Sequence, residues 1–298
     1  MASAPPCSFF ARGQCRNGES CRFSHVLPEA AASPPTAPPP IVVDVPAGTP
    51  LYSIDVECVA PSVLHNDRMI ASIALVDADA KQVLNLYIRP HQPVVSYLTP
   101  LTGITAELLD AHGVPLEEAL ATFLTQPHFS HVSHPPFPHM SKKLFFLLDK
   151  ALATLRTLLP KNAWLVGQNI LKDVQWLGLV EGVDFAAQVD LAALLRVFNP
   201  RFGSYTYFGQ DHYVRAWLGE EAARGEGDSH DALADARCSM MLFQAYRRVQ
   251  HDPKAVAAIG ARALSTRARP SFAKLNPEFE GVCMGNRQTC KCGAPFFS

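Results

Sequence analysis

No run of 18 or more apolar residues occurs in this chain of 298, so a membrane-spanning helix is not expected. The N-terminus has no basic region followed by an apolar stretch, so no secretory signal is expected either. Charge of one sign is not in excess. The net charge of −1 gives no global basic field of the kind that draws a protein to nucleic acid. That balance is uneven, because residues 1–27 hold Arg12, Arg16 and Arg22 against Glu19 alone. A cluster of carboxylates also makes a site acidic until metal binds, so near-neutrality does not exclude metal-dependent chemistry. Cysteine is scarce and clustered, at 7, 15 and 21 and at 283, 290 and 292, with Cys58 and Cys238 apart. Without a signal peptide such clusters read as metal ligands rather than disulfides. The expected location is nuclear or cytoplasmic, neither secreted nor membrane-bound.

The length allows one buried domain of about 200 residues plus extras. Residues 28–50 carry Pro28, Pro34, Pro35, Pro38, Pro39, Pro40, Pro46 and Pro50 with alanines between, a semi-rigid linker that cannot bury a core. Within it, Ile41-Val42-Val43 is apolar enough to dock on the next domain. From Leu51, LYSIDVECVA, MIASIALVDA and QVLNLYIRP read as three strands. EEALATFL and LFFLLDKALATLRTLL have helical spacing, AWLVGQ reads as a buried strand, and ILKDVQWLGL and LAALLRVF read as helices. A long helix is expected from about Ala232 to Val249. This order implies an α/β fold with helices covering a mixed sheet. Residues 126–141, with four histidines and four prolines, read as a loop insertion or, less simply, as a histidine metal cluster.

Asp55 and Glu57 are two apart on the first strand, so both face one side and can reach one ion. Hard divalent cations such as Mg²⁺ and Mn²⁺ prefer such oxygen ligands. A D-x-E pair alone is a weak signal, since a solvated strand edge would show it too. Its apolar neighbours argue against that, because an unpaired charge in a buried strand is costly. Asn169 and Asp173 are four apart and would share a helix face. His230 and Asp235 are five apart, roughly 140° on an ideal helix. They can therefore meet only if His230 sits on the loop before the helix and Asp235 in its first turns. Gly225 and Gly227 favour such a loop, and Ser229 or Asp231 could cap the helix. Asp231 reads as a cap or surface residue rather than a ligand.

Taken together, SIDVEC, LVGQNILKD and HDALADARCSMMLF stand in the order and at the intervals of DEDDh exonucleases of the RNase T (DnaQ-like) type, and the chain resembles that family over about residues 51–250. IRPHQPVVSYLTPLTGITAELL is similar to the connection after the third strand in eukaryotic Rex-type and interferon-stimulated RNA exonucleases. Gln168 departs from the histidine many members carry, and Val56-Glu57-Cys58 departs from a common Cys-Glu-Met. The resemblance implies a ribonuclease H-like mixed sheet flanked by helices, in an exonuclease domain over 51–252. It implies two Mg²⁺ or Mn²⁺ ions held by Asp55, Glu57, Asp173 and Asp235, with His230 as the base for the attacking water. A 3′→5′ exonuclease releasing 5′-nucleoside monophosphates follows. The alternatives are a DNA exonuclease of the same fold and a regulatory RNA-binding protein with a degenerate nuclease domain, against which all five filled positions speak.

Cys7, Cys15, Cys21 and His25 form a complete sulfur and nitrogen set for structural Zn²⁺ within residues 1–27. CSFFARGQCRNGESCRFSH resembles CCCH zinc fingers throughout. Phe10 and Phe23 with Arg12 and Arg22 supply stacking faces and cations suited to single-stranded RNA. RNA is the expected partner and DNA the alternative, with no membrane partner, and the sequence points to no protein partner. The tail, 253–298, holds Cys283, Cys290 and Cys292. These are either three ligands of a second Zn²⁺, completed by Cys58, Cys238 or His251, or unpaired thiols.

Overall fold

The structure, a computed structural model, describes residues 21–25, 38–112, 153 and 155–296. The chain falls into two compact units: Met1–Pro39 with Phe198–Tyr205, and Pro40–Val197 with Thr206–Ser298. In the first, Phe198 and Tyr205 meet edge to face at 5.7 Å between ring centroids.

The second unit is built on a five-stranded mixed sheet. Strands β1 (Leu51–Val59), β2 (Met69–Asp77) and β3 (Gln82–Tyr87) form an antiparallel meander. β4 (Trp164–Gly167) and β5 (Ala187–Asp190) run parallel to β1, giving the order β3-β2-β1-β4-β5. The three expected strands and the AWLVGQ strand all form where their β-branched and aromatic residues predict. Between β3 and β4 lie two short helices, α1 (Thr99–Thr102) and α2 (Ala106–His112). The EEALATFL helix and the histidine-rich stretch lie outside the described residues, while LFFLLDKALATLRTLL is helical at 155–158.

Alternation along β1 assigns its two faces. Ile54, Val56 and Cys58 enter a core with Leu155, Leu165, Val174 and Phe185. The opposite face, which carries Ser53, Asp55 and Glu57, is the one crossed by α6 (Ala232–Val249). α6 spans the residues expected of it, and its buried Ala236, Met240, Phe243 and Tyr246 pack against Ala74, Val76 and Val166 of the sheet. Asp231 caps it: its side chain accepts from the Ala234 backbone N–H at 2.8 Å, as expected. α5 (Gln210–Trp217) and α7 (Pro253–Ser265) complete this layer.

Two expectations are corrected. LAALLRVF is not one helix: Leu191–Leu194 makes a single turn, α4, and Val197–Asn199 is extended as β6. Asp190 caps the turn, and Pro200 disfavours a helical residue before it, while Val197 and Phe198 prefer extended backbone. Asn169 shares no helix face with Asp173. It stands before α3 (Leu171–Trp176) in the left-handed region, at φ 55°, a conformation asparagine tolerates better than most residues.

Ile41–Val43 docks as its composition suggests. Tyr246 Oη donates to the Ile41 carbonyl at 2.6 Å, and the Gln250 side chain accepts from Val43 N at 2.9 Å. Val43 and Val45 pack on the α6 side of the core. Tyr246→Phe should cost about 1 kcal/mol, measured by urea denaturation of the full chain. An unchanged midpoint would show that the segment is held by packing alone.

Candidate active site

Each functional side chain arrives through a separate piece of backbone geometry. β1 pairs with β4 only through Leu51, Tyr52 and Ser53, so Asp55 and Glu57 extend past the carboxyl end of β4. Their cross-strand neighbours on β2 are Ala74 and Ser72, small residues that leave room above the sheet. A bulge follows at once, between Glu57 and Cys58. Such irregularities re-aim the chain at a site.

β4 ends at Gly167, where an added Cβ would lie 3.1 Å from Ile170 and 3.2 Å from the Ile54 carbonyl. Any larger residue would have to push Ile170 or the β1 backbone aside by a few tenths of an ångström. The turn then delivers Asp173 in the first turn of α3, buried and hydrogen-bonded to the backbone at Val56. Asn169 N donates to Asp190 Oδ1 at 2.9 Å, fixing the same turn against β5. Gln168 Nε2 donates to the Phe208 carbonyl at 3.1 Å, so this departure from the family pattern anchors the turn to the segment ahead of α5.

His230 is set by a different part of the chain. Its backbone N–H donates to the Leu101 carbonyl of α1 at 2.7 Å. Gly103, at φ 69°, caps α1 and lies so close that an added Cβ would meet Ser229 Oγ at 2.9 Å and the His230 carbonyl at 3.2 Å. His230 thus sits on the loop before α6 with Asp235 in its first turn, as the five-residue spacing requires. Nδ1 of His230 meets Asp235 Oδ2 at 2.8 Å.

Ligand atoms of Glu57, His230 and Asp235 lie within 4.8 Å of one another. Asp173 lies close enough to raise the proton affinity of both Asp55 and Glu57. Burial pushes Asp55 well above the usual carboxylate range, and the facing charges of Asp173, Glu57 and Asp235 push it further. Burial and then Asp235 do the same to Glu57. Asp173 is pushed up to about 7, mainly by burial. Oxygen donors that repel one another in this way suit a hard divalent cation, which favours their ionised form.

Arg224 has no signal in the sequence beyond its place near the glycine loop. Its guanidinium donates to Asp235 Oδ2 at 3.2 Å and approaches Asp211 at 3.7 Å. Arg269 of the C-terminal segment holds it, donating to the Arg224 carbonyl at 2.9 Å and pairing with Asp211 and Glu220. A pocket of about 160 Å³ opens beside the carboxylates, lined by Glu57, Ser72, Tyr87, Thr102, Gly103 and His230 among others. The segment after β3 therefore supplies one wall of the site as well as the anchor for His230.

Of the finger set, Cys21 and His25 are among the described residues, and Cys7, Cys15, Phe10 and Arg12 lie outside them. Arg22 and Phe23 are both exposed, with the guanidinium over the ring at 5.0 Å. The tail thiols Cys283, Cys290 and Cys292 do converge, but the fourth group beside them is His65. Cys58 is buried in the core under β1, Cys238 lies on α6 and His251 contacts Gln250, so none of the three expected candidates completes the set.

Residues 3–27 match the model of the zinc-finger family described as C-x8-C-x5-C-x3-H type and similar. The first interval is one residue shorter here. Residues 3–27 carry the CCCH finger that their spacing predicts. Among curated proteins, small RNA degrading nuclease 3 of Arabidopsis thaliana is 25% identical over 198 residues, 66% of this chain and 20% of its own length. Small RNA degrading nuclease 2 of the same plant is 31% identical over 81 residues, 26% of this chain and 17% of its own length. The chain thus spans about a fifth of these relatives or less. Among solved structures, the Pan2 catalytic unit of Neurospora crassa (protease and nuclease domain) superposes with a TM-score of 0.50 at 16% identity, covering 80% of this chain and 34% of that one. The Saccharomyces cerevisiae Pan2 pseudoubiquitin hydrolase–RNA exonuclease module in complex with AAGGA RNA gives 0.51 at 15% identity, covering 76% and 34%. The mixed sheet and its helices are similar to the Pan2 nuclease fold.

Gly103→Ala should destabilise the chain by about 1–3 kcal/mol, because it forces both a left-handed alanine and a clash with the His230 loop. A thermal melt unchanged from wild type would contradict that placement. Asp173 has its proton affinity raised on folding, so its ionisation opposes folding. Its contribution is fully favourable below its unfolded value of about 4 and is lost as pH rises towards about 7. Without added divalent cation, Asp173→Asn should therefore gain stability relative to wild type between pH 5 and pH 7.5. A pH-independent difference in melting temperature would refute the shift.

Proposed function

We propose that this chain is a metal-dependent 3′→5′ exoribonuclease whose CCCH finger holds its RNA substrate. The observation that carries the reading is the convergence of Asp55, Glu57, Asp173 and Asp235 with His230 above the central strand of a Pan2-like sheet, past the carboxyl end of β4. The relatives named as small RNA degrading nucleases and the RNA bound to the Pan2 module support RNA as the substrate class.

Asp55, Glu57, Asp173 and Asp235 would hold two divalent cations, Mg²⁺ or Mn²⁺. Bound there, the cations supply the charge that stabilises the attacking and leaving oxygens of a phosphodiester. The remaining work falls to the protein. His230 presents Nδ1 to Asp235, which favours the tautomer with the proton on that nitrogen and leaves Nε2 to accept a proton from the attacking water. Water adds to phosphorus and the 3′ oxygen of the preceding nucleotide departs, releasing a 5′-nucleoside monophosphate. Arg224 keeps Asp235 oriented between turnovers. The pocket walled by Tyr87, Thr102 and Gly103 would seat the terminal nucleotide. The finger, with Zn²⁺ on Cys7, Cys15, Cys21 and His25, would raise the local concentration of RNA. Phe23 and Arg22 would take part in contact with the strand.

A time course on 5′-labelled single-stranded RNA and matched DNA tests this. The expected result is a ladder shortening from the 3′ end, faster on RNA and dependent on added Mg²⁺ or Mn²⁺. Asp55→Ala and Asp235→Ala should each abolish cleavage while RNA binding persists. Full activity in either variant would sink the assignment. Cys15→Ser should weaken RNA binding while a short oligonucleotide at saturation is still turned over, and equal affinity would refute the tether.

A further inference from the structure

We propose that Cys283, Cys290, Cys292 and His65 form a second, structural Zn²⁺ site that clasps the C-terminal segment to the loop after β1. The inference does not depend on the nuclease reading.

The geometry is that of a tetrahedral site. With Zn–S bonds of about 2.3 Å, two sulfurs on one ion lie about 3.7 Å apart, and a sulfur and a nitrogen slightly less. The observed edges are 3.5 Å for Cys283–Cys290, 3.6 Å for Cys290–Cys292, 3.7 Å for Cys290 to His65 Nδ1 and 3.1 Å for Cys292 to His65 Nδ1. All four ligand atoms lie within 4.8 Å of one another. Sulfur separations of 3.5 Å or more are far from the roughly 2.05 Å of a disulfide, and these cysteines are unbridged. Three soft thiolates and one imidazole select zinc over magnesium or calcium.

The surrounding backbone is shaped for such a site. The N–H groups of His65 and Ala294 point at Cys292, and that of Gly285 points at Cys283, donating to sulfur as metal-bound thiolates require. Gly285 and Gly293, at φ 71° and 79°, make the tight turns beside the ligands. Phe296 stacks on the His65 ring at 4.3 Å and fixes its plane. His65 carries no spacing signal, because 227 positions separate it from Cys292.

The clasp reaches the catalytic centre mechanically. Cys283 N donates to the Val63 carbonyl at 2.9 Å, and Arg68 donates to the Cys283 carbonyl at 3.3 Å. Val282 is buried with Ala60 and Leu98, and Ser96 hydrogen-bonds to Glu280. Leu98 starts α1, whose Leu101 carbonyl holds His230. The tail therefore braces both the end of β1 and the element that positions the histidine.

Metal analysis of the purified full chain, by atomic emission, decides the matter. Wild type should carry about two zinc ions per chain, and Cys15→Ser or Cys290→Ser/Cys292→Ser about one. His65→Cys should retain two, because a four-cysteine site is equally good for zinc. Should the tail variant fail to fold, cobalt substitution of the Cys15→Ser/Cys21→Ser chain gives an independent measure. Tetrahedral ligand-field bands with thiolate charge transfer are expected. Their absence would overturn the proposal, as would wild type carrying a single zinc that Cys15→Ser removes. Retention of two ions by the double tail variant would overturn it equally.

Discussion

Mutual repulsion among carboxylates is the constraint around which this molecule is arranged. Glu57 and Asp235 have ligand atoms within 4.8 Å, with Asp55 and Asp173 facing the same space. Two unit charges at that separation repel by roughly 3–4 kcal/mol at an effective dielectric of about 20. That is a large part of the roughly 5–15 kcal/mol by which a domain is typically stable. The acids cannot settle there by their own preference; they are forced there by strand pairing, by a glycine turn and by a helix across the sheet. The cores on both faces of the sheet provide the force, and burial first, then the facing charges, raises the proton affinity of Asp55 and Glu57. Arg224 supplies part of the missing positive charge, and its position is in turn secured by Arg269 and Asp211. An arginine cannot satisfy every oxygen in the cluster, so the arrangement keeps repulsion that the proposed divalent cations would relieve.

What can be read from the sequence, and what cannot, divides by the range of the interaction. The faces of β1, the span of α6, the cap at Asp231 and the meeting of His230 with Asp235 all rest on local periodicity, and they are found as the spacing implies. Asn169 is misread because a four-residue interval looks helical whether or not the first residue has entered the helix; the left-handed turn after Gly167 depends on how closely β4 approaches Ile54. LAALLRVF has apolar residues at helical intervals, yet Pro200 and the β-preference of Val197 and Phe198 outweigh that pattern. Arg224 and His65 are invisible for a stronger reason. Each acquires its role from partners elsewhere in the sequence, and a lone arginine or histidine carries no period.

The segment after β3 shows how one stretch can serve two ends. It is recognisable by resemblance, but resemblance does not say why its glycine matters. Gly103 ends α1 in a conformation other residues resist, and its missing side chain is what allows the His230 loop to pass within hydrogen-bonding distance of Leu101. The same turn forms one wall of the pocket beside Glu57. Fixing the histidine and shaping the pocket are therefore one structural act, so neither can be altered without the other.

This coupling gives the C-terminal segment its significance. α1 is a single turn, too short to hold its own position in water, and its start at Leu98 is in the left-handed region at φ 53°. What keeps it in place is the burial of Leu98 with Ala60 and Val282, together with the bond between Ser96 and Glu280. Val282 and Glu280 belong to the tail, which among the described residues after Ser265 forms a pair of two-residue strands and a one-turn helix. Elements of that size do not persist without a further tie. The convergence of three thiols and an imidazole at this point is the feature able to provide it. Order at His230 then depends on chemistry at the opposite end of the chain from the finger.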